Sequence, residues 1–256
     1  MLITFLFGVT KPCQRFFYVL KYITMNNYFE RSEMLFGKRA MEKLYNSHVA
    51  VFGLGGVGSY AVESLCRGGV GKLSLIDNDI YTPSNVNRQL YATSLTLGRK
   101  KVDVAKERVL SINPQIKVDV YDKFILSGDS FGIDFSKFDY VVDAIDTISG
   151  KLEIVKMANK FNVPVISCMS AGNKLDQTAF KVADIKNTKV CPLCRVMRKL
   201  LKENGIDSLK VVYSEEAPAI SSDGDKDKRI PYSNSFVPPI VGLIASGEVI
   251  KDLTKV

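Results

Sequence analysis

Four glycines fall within seven residues at Gly53-Leu-Gly55-Gly56-Val-Gly58-Ser59. They lie between a short apolar run, His48-Val-Ala-Val-Phe52, and a segment whose Val62, Leu65 and Cys66 recur at helical spacing. Glycine at such a junction lets backbone amides approach a phosphate and present the positive end of a helix. About 20 residues on, Asp77 closes a second apolar run and is positioned to accept hydrogen bonds from ribose hydroxyls. These two features alone describe a nucleotide fold, for which nicotinamide chemistry is the default.

The next segment points to different chemistry. Ile76-Asp77-Asn78-Asp79 leads into Ser84-Asn85-Val86-Asn87-Arg88-Gln89, and Gly98-Arg-Lys-Lys101 opens the following helix. A dehydrogenase binds its diphosphate mostly through loop amides and has no need of an Arg and a Lys converging on it. A reaction that splits a triphosphate does, because negative charge develops on the departing pyrophosphate. Arg88 and Lys101 can both face the mouth of one sheet. Asp146 follows a later strand at the same carboxyl edge, where open parallel sheets bind ligands. Mg2+ on the phosphates would call for such a carboxylate, and the plainer reading of Asp143 and Asp146 is helix capping and loop polarity.

The scaffold for these residues is a series of βα units. Strands are expected at 48–52, 73–77, 117–121, 140–145 and 163–167, and helices at 59–67, 100–110 and 151–161. Alternation over 179–184 predicts a half-exposed, antiparallel strand. A basic helix (194–203), a strand (210–214), a polar surface loop (221–229) and an apolar closing helix (239–253) complete the reading. The expected class is α/β, a Rossmann-like, mostly parallel sheet with helices on both faces and an antiparallel C-terminal extension. One domain is expected over 26–256, with a nucleotide-binding core at about 31–185 and a basic substrate and dimer region at about 186–256.

With 256 residues, 46% of them hydrophobic, the chain can bury a substantial core, which excludes disorder and collagen. The charge is 35 basic minus 27 acidic, or +8. Residues 1–25 carry +3 (Lys11, Arg15, Lys21), and residues 181–210 carry eight basic and three acidic side chains, or +5, so the excess is local. The later stretch suits a polyanion or is an ordinary solvated helix face. Five irregularly spaced cysteines fit a reducing cytosol. The Met1–Val9 apolar run is too short to span a membrane, and its charges follow it rather than precede it, unlike a signal peptide. Residues 1–25 are therefore expected to be a poorly ordered or misassigned extension, with Met25 a candidate start.

Four ordered blocks, GLGGVGS, IDNDIYTPSNVNRQ, GRKK and DAIDT, resemble the ubiquitin-activating-enzyme-like (ThiF-type) adenylyltransferases. Those enzymes use ATP to adenylate a carboxylate. Ser170-Ala-Gly-Asn-Lys-Leu-Asp176, Val182-Ala-Asp-Ile-Lys-Asn-Thr188, Cys191-Pro-Leu-Cys-Arg-Val-Met-Arg198 and Val211-Val-Tyr-Ser-Glu-Glu216 are similar to the branch that dehydrates threonylcarbamoyladenosine in tRNA. The resemblance implies a cytoplasmic enzyme that cyclises that nucleoside through an acyl adenylate, with ATP and Mg2+ as cofactors and tRNA as partner. The alternative is adenylation of the C-terminus of a ubiquitin-like sulfur carrier.

Carried over residue by residue, the resemblance implies nucleotide contacts from Gly53, Gly55, Gly56, Asp77, Asp79, Asn85, Arg88, Gln89 and Lys101. It implies catalytic roles for Arg88, Lys101, Asp146 and Arg31, with Asp146 also the metal-associated aspartate. Arg31 matches an arginine that in relatives reaches the partner subunit's ATP, which implies a homodimer, the plainer reading being a surface arginine in a helix-entry segment; a sulfur-relay protein partner is left open. The cysteines depart from the sulfur-carrier activators. Only one Cys-x-x-Cys pair, Cys191 and Cys194, is present, so a structural zinc site within one subunit is not expected. The pair begins a helix, which would lower a thiol pKa, and leaves a thioester or persulfide role open. Cys66 and Cys168 read as core residues.

Overall fold

The computed structural model describes residues 28–125, 132–219 and 232–256. The N-terminal extension and the polar 221–229 stretch lie outside the described residues. Two helices that the sequence reading does not place come first, α1 (Glu30–Phe36) and α2 (Lys38–Asn46), separated by Gly37 at φ +84°. Only α2 buries side chains, Ala40, Met41 and Leu44.

The remaining elements are β1 (His48–Phe52), α3 (Gly58–Arg67), β2 (Lys72–Ile76), α4 (Lys101–Ile112), β3 (Lys117–Tyr121), β4 (Tyr140–Asp143), α5 (Ile148–Lys160), β5 (Val165–Cys168), β6 (Phe180–Asp184), α6 (Pro192–Glu203), β7 (Lys210–Ser214) and α7 (Val237–Thr254). The strands form one seven-stranded sheet of order β3-β2-β1-β4-β5-β7-β6. Only β6 runs antiparallel, against β7, as its alternating sequence predicts.

All five residues of β1 are buried, and their side chains alternate between two cores. Val49 and Val51 join α2, α3, α4 and α7 on one face. Ala50 and Phe52 join Phe135, Phe138 and Ile154 of α5 on the other. A third cluster seats α6 against Val211, Tyr213 and Met169. The late elements β7 and α7 therefore belong to the same packed body as the early ones.

Several boundaries move for local reasons. β4 stops at Asp143, not at Ile145, because its ladder with β1 ends at the Phe52–Asp143 pair. The basic helix starts at Pro192, since proline suits the first helical turn. The closing helix starts at Val237, where the Asn234 Oδ1 accepts the amides of Phe236 and Val237. Among the described residues no helix is long and apolar enough to cross a membrane.

Candidate active site

Strand order reverses between β1 and β4, and the loops leaving their carboxyl ends diverge to open a crevice. A cavity of about 580 Å³ occupies that place. The glycine loop forms one wall, the Ala144–Thr147 loop another, and the 168–172 loop after β5 a third.

The four glycines do different work. Gly53 has φ +87°, and a Cβ on it would stand 2.7 Å from the Ala144 carbonyl oxygen. A Cβ on Gly58 would stand 1.7 Å from the Gly53 oxygen. These two residues serve the close crossing of β1, β4 and α3. A Cβ on Gly55 would meet only the Gln89 amide, at 3.8 Å. The fold does not require glycine there; a ligand pressed against the backbone would. The first turn of α3 carries no acidic residue and no side-chain cap; the Ser59 and Ala61 amides donate to the Gly55 and Val57 carbonyls, and the positive end of the helix remains available to an anion.

Asp77 fastens this loop. Its Oδ2 accepts the Leu54 amide at 2.6 Å and its Oδ1 the Asp79 amide at 2.8 Å. Burial pushes its carboxyl above the ordinary value, against the pull of Lys101 and of the two amides. Lys101, buried at the start of α4, places its Nζ 2.8 Å from Asp79 and 3.9 Å from Asp77. Arg88 comes from the turn after β2 and donates to the Ser84 carbonyl and the Asn87 Oδ1, both at 2.9 Å. Asn85 shapes that turn, its Oδ1 accepting the Thr82 amide at 3.0 Å. Gln89 is buried beside it with no partner for its Oε1.

Gly53, Gly55, Gly56, Asp77, Asp79, Asn85, Arg88, Gln89, Lys101 and Asp146 all line the cavity. Asp146 is exposed and has no hydrogen-bond or ion-pair partner among the described residues. Arg31 is exposed on α1 and does not line the cavity of its own chain.

The sequence reading missed a buried floor. Lys151 of α5 reaches across to the ends of two strands, with Nζ 3.1 Å from the Asp143 carboxylate and 2.7 Å from the Cys168 carbonyl. The Ser167 hydroxyl donates to the same carboxylate. Asp143 and Ser167 are fully buried and Lys151 is 1% exposed. The only signal in the sequence was a lysine in the first turn of the helix, beside a run of Leu152, Ile154 and Val155. The third wall is pinned from behind: Lys174 donates to the Glu216 carbonyl, and the Glu216 carboxylate accepts the Leu175 and Asp176 amides.

Residues 29–256 match the ThiF family over the whole described body. The chain belongs to the ThiF family. It is 40% identical over 253 residues to a Bacillus subtilis protein named tRNA threonylcarbamoyladenosine dehydratase, covering 90% of this chain and 96% of the relative. Among solved structures, Escherichia coli tRNA N6-threonylcarbamoyladenosine dehydratase in complex with AMP is similar, with TM-score 0.81 and 30% identity. The alignment covers 89% of this chain and 94% of that one. The same enzyme in complex with ATP has a TM-score of 0.80 at 29% identity, with equal coverage. The family membership agrees with the blocks around the cavity: glycine loop, two cations and an unpaired carboxylate.

Proposed function

We propose that the chain uses ATP to dehydrate threonylcarbamoyladenosine in tRNA through an acyl-adenylate intermediate. The observation that carries this reading is the convergence of Arg88 and Lys101 on a cavity walled by the glycine loop and the uncapped start of α3, in a chain with a full-length relative of that name.

In the first step a carboxylate oxygen of the threonylcarbamoyl group attacks the α-phosphorus of ATP, and the bond to pyrophosphate breaks. Arg88 and Lys101 face the charge that develops on the departing group. In the second step a nucleophile of the same substituent attacks the activated acyl carbon, and AMP leaves with the former carboxylate oxygen. The nucleoside has then lost one water. The attacking group is tethered to the acyl carbon, so proximity supplies much of the acceleration and no protein thiol is needed.

Asp146 fits a magnesium ion. It is an exposed carboxylate on the cavity wall, and no cluster of three or more His, Cys, Asp or Glu stands among the described residues. Such an ion would take its other ligands from phosphates and water. When bound it would neutralise phosphate charge.

The reading includes a cytoplasmic homodimer. Arg31 lies outside its own cavity on a helix that exposes Met34 and Leu35, at 82% and 76%, which supports a role in a partner's site. The exposed Lys189, Arg195 and Lys202 flank the cavity residue Leu193 on α6 and its approach, and suit an RNA backbone. A sulfur-relay protein remains a further partner to test. AMP release that requires tRNA bearing threonylcarbamoyladenosine supports the reading. Release that depends instead on a ubiquitin-like carrier protein would transfer it to sulfur-carrier adenylation.

A further inference from the structure

The first turn of α6 holds chemistry that the proposed reaction does not use. Cys191 precedes the helix and Cys194 is its third residue, so the two share one turn. Both are buried, at 4% and 1% exposure. Cys191 stands at the cap of the helix, and both side chains pack in one buried cluster with Met197 and Leu201. The Cys194 thiol beside it holds Cys191 below the ordinary thiol range, whereas Cys191 and burial push Cys194 above it. A sulfur biased toward thiolate thus stands against a protonated one, the arrangement of a nucleophile and its resolving thiol.

The backbone entering this turn is strained. Val190 has φ +63°, and the Cys191 amide donates to the Lys189 carbonyl at 2.6 Å, closing a three-residue turn that β-branched residues avoid. The turn also touches the nucleotide site, because Leu193, between the two cysteines, lines the cavity. Cys66 and Cys168 offer a contrast: burial pushes their thiols up to about 11 and about 12.

We propose that Cys191 and Cys194 form a redox-modification site, in which a peroxide oxidises the dithiol to a disulfide that tightens the first turn of α6 and shifts Leu193 in the cavity wall. The Cys191 sulfur attacks one peroxide oxygen and the O–O bond breaks. The other oxygen leaves as water, taking up the proton that Cys191 gave up. The Cys194 sulfur then displaces the sulfenic oxygen, which leaves as a second water with the Cys194 proton. Two electrons pass from the sulfurs to the peroxide. Both residues sit in one helical turn, so closing the S–S bond of about 2.05 Å needs no movement of another element.

The test is to treat the purified full chain with hydrogen peroxide, quench with catalase, alkylate, digest and weigh the peptides. The peptide carrying Cys191 and Cys194 is expected to lose about 2 Da and resist alkylation, and dithiothreitol should reverse both changes. Cys66 and Cys168 should still alkylate. In Cys194→Ser the reaction should stop at a sulfenic acid on Cys191 that dimedone captures. ATP binding to the oxidised protein should weaken at least fivefold and recover on reduction. A pair that still alkylates fully after peroxide overturns the site, and unchanged ATP binding by disulfide-containing protein overturns its link to the cavity. The mass readout does not depend on the tRNA reaction, so failure of either idea is seen separately.

Discussion

Lys101 and Asp79 are joined twice, through a 2.8 Å ion pair between their side chains and through the Lys101 amide, which donates to the Asp79 carbonyl at 3.0 Å. A lysine held this way presents a fixed ammonium to the cavity without first losing side-chain entropy. Preorganised charge of this kind acts on the transition state more than on ground-state binding.

Lys101→Ala is therefore expected to lower kcat for AMP formation by about 10²- to 10³-fold, with a much smaller change in ATP affinity. Steady-state kinetics beside equilibrium ATP binding checks this. An equal loss in both quantities would make Lys101 a binding residue only.

Arg88 is held by the Ser84 carbonyl and Asn87, so its loss should leave the turn standing. Arg88→Ala should abolish most AMP formation while ATP binding stays measurable. Full retained turnover in a single-turnover assay would remove Arg88 from the reaction.

Gly55 and Gly58 separate binding from folding. Gly55→Ala adds a methyl at an ordinary 3.8 Å contact, so thermal stability should hold while ATP binding falls at least tenfold. Gly58→Ala places its methyl 1.7 Å from a backbone oxygen and should cost folding itself. Paired melting and binding curves distinguish the two.

The floor of the cavity predicts a stability effect. Lys151→Met leaves the Asp143 carboxylate buried without its ion pair and should destabilise the protein by about 3–5 kcal/mol. Adding Asp143→Asn should recover part of that loss in urea unfolding.

His48, buried beside Ser74 and edge-on to Phe138, carries a pH dependence. Burial and then Lys72 hold its pKa below 6.5. Between that lowered value and 6.5 the unfolded chain binds a proton that the folded chain does not. Stability should thus rise with pH through this window and level off above 6.5. His48→Gln should flatten that rise in pH-dependent unfolding.

Much of this architecture was legible because a parallel sheet buried on both faces writes continuous apolar runs. β1 and β7 begin and end where such runs do, while the partly exposed edge strand β3 alternates instead, Lys117-Val-Asp-Val-Tyr121. The alternation of Phe180–Asp184 likewise announced the antiparallel edge. The helix α1 escaped notice, since a seven-residue helix with no buried face leaves no period to read; α2 did carry one, Ala40, Met41 and Leu44, over only nine residues.

At the site, residue types and spacing together with the family resemblance were enough to assign ten residues that line one cavity. Their partners were not readable. Asp77 and Asn85 bond backbone amides, Leu54 and Thr82 respectively, that only the folded turns present. Lys151 finds Asp143 across a strand, a loop and a helix turn. Such contacts depend on tertiary geometry rather than on sequence period.

The central claim is tested most directly by incubating the purified protein with ATP, Mg2+ and tRNA bearing threonylcarbamoyladenosine, then analysing the nucleosides by mass spectrometry. We expect this nucleoside to lose one water, mole for mole with AMP released. An unchanged nucleoside in the presence of protein that demonstrably binds ATP would contradict it.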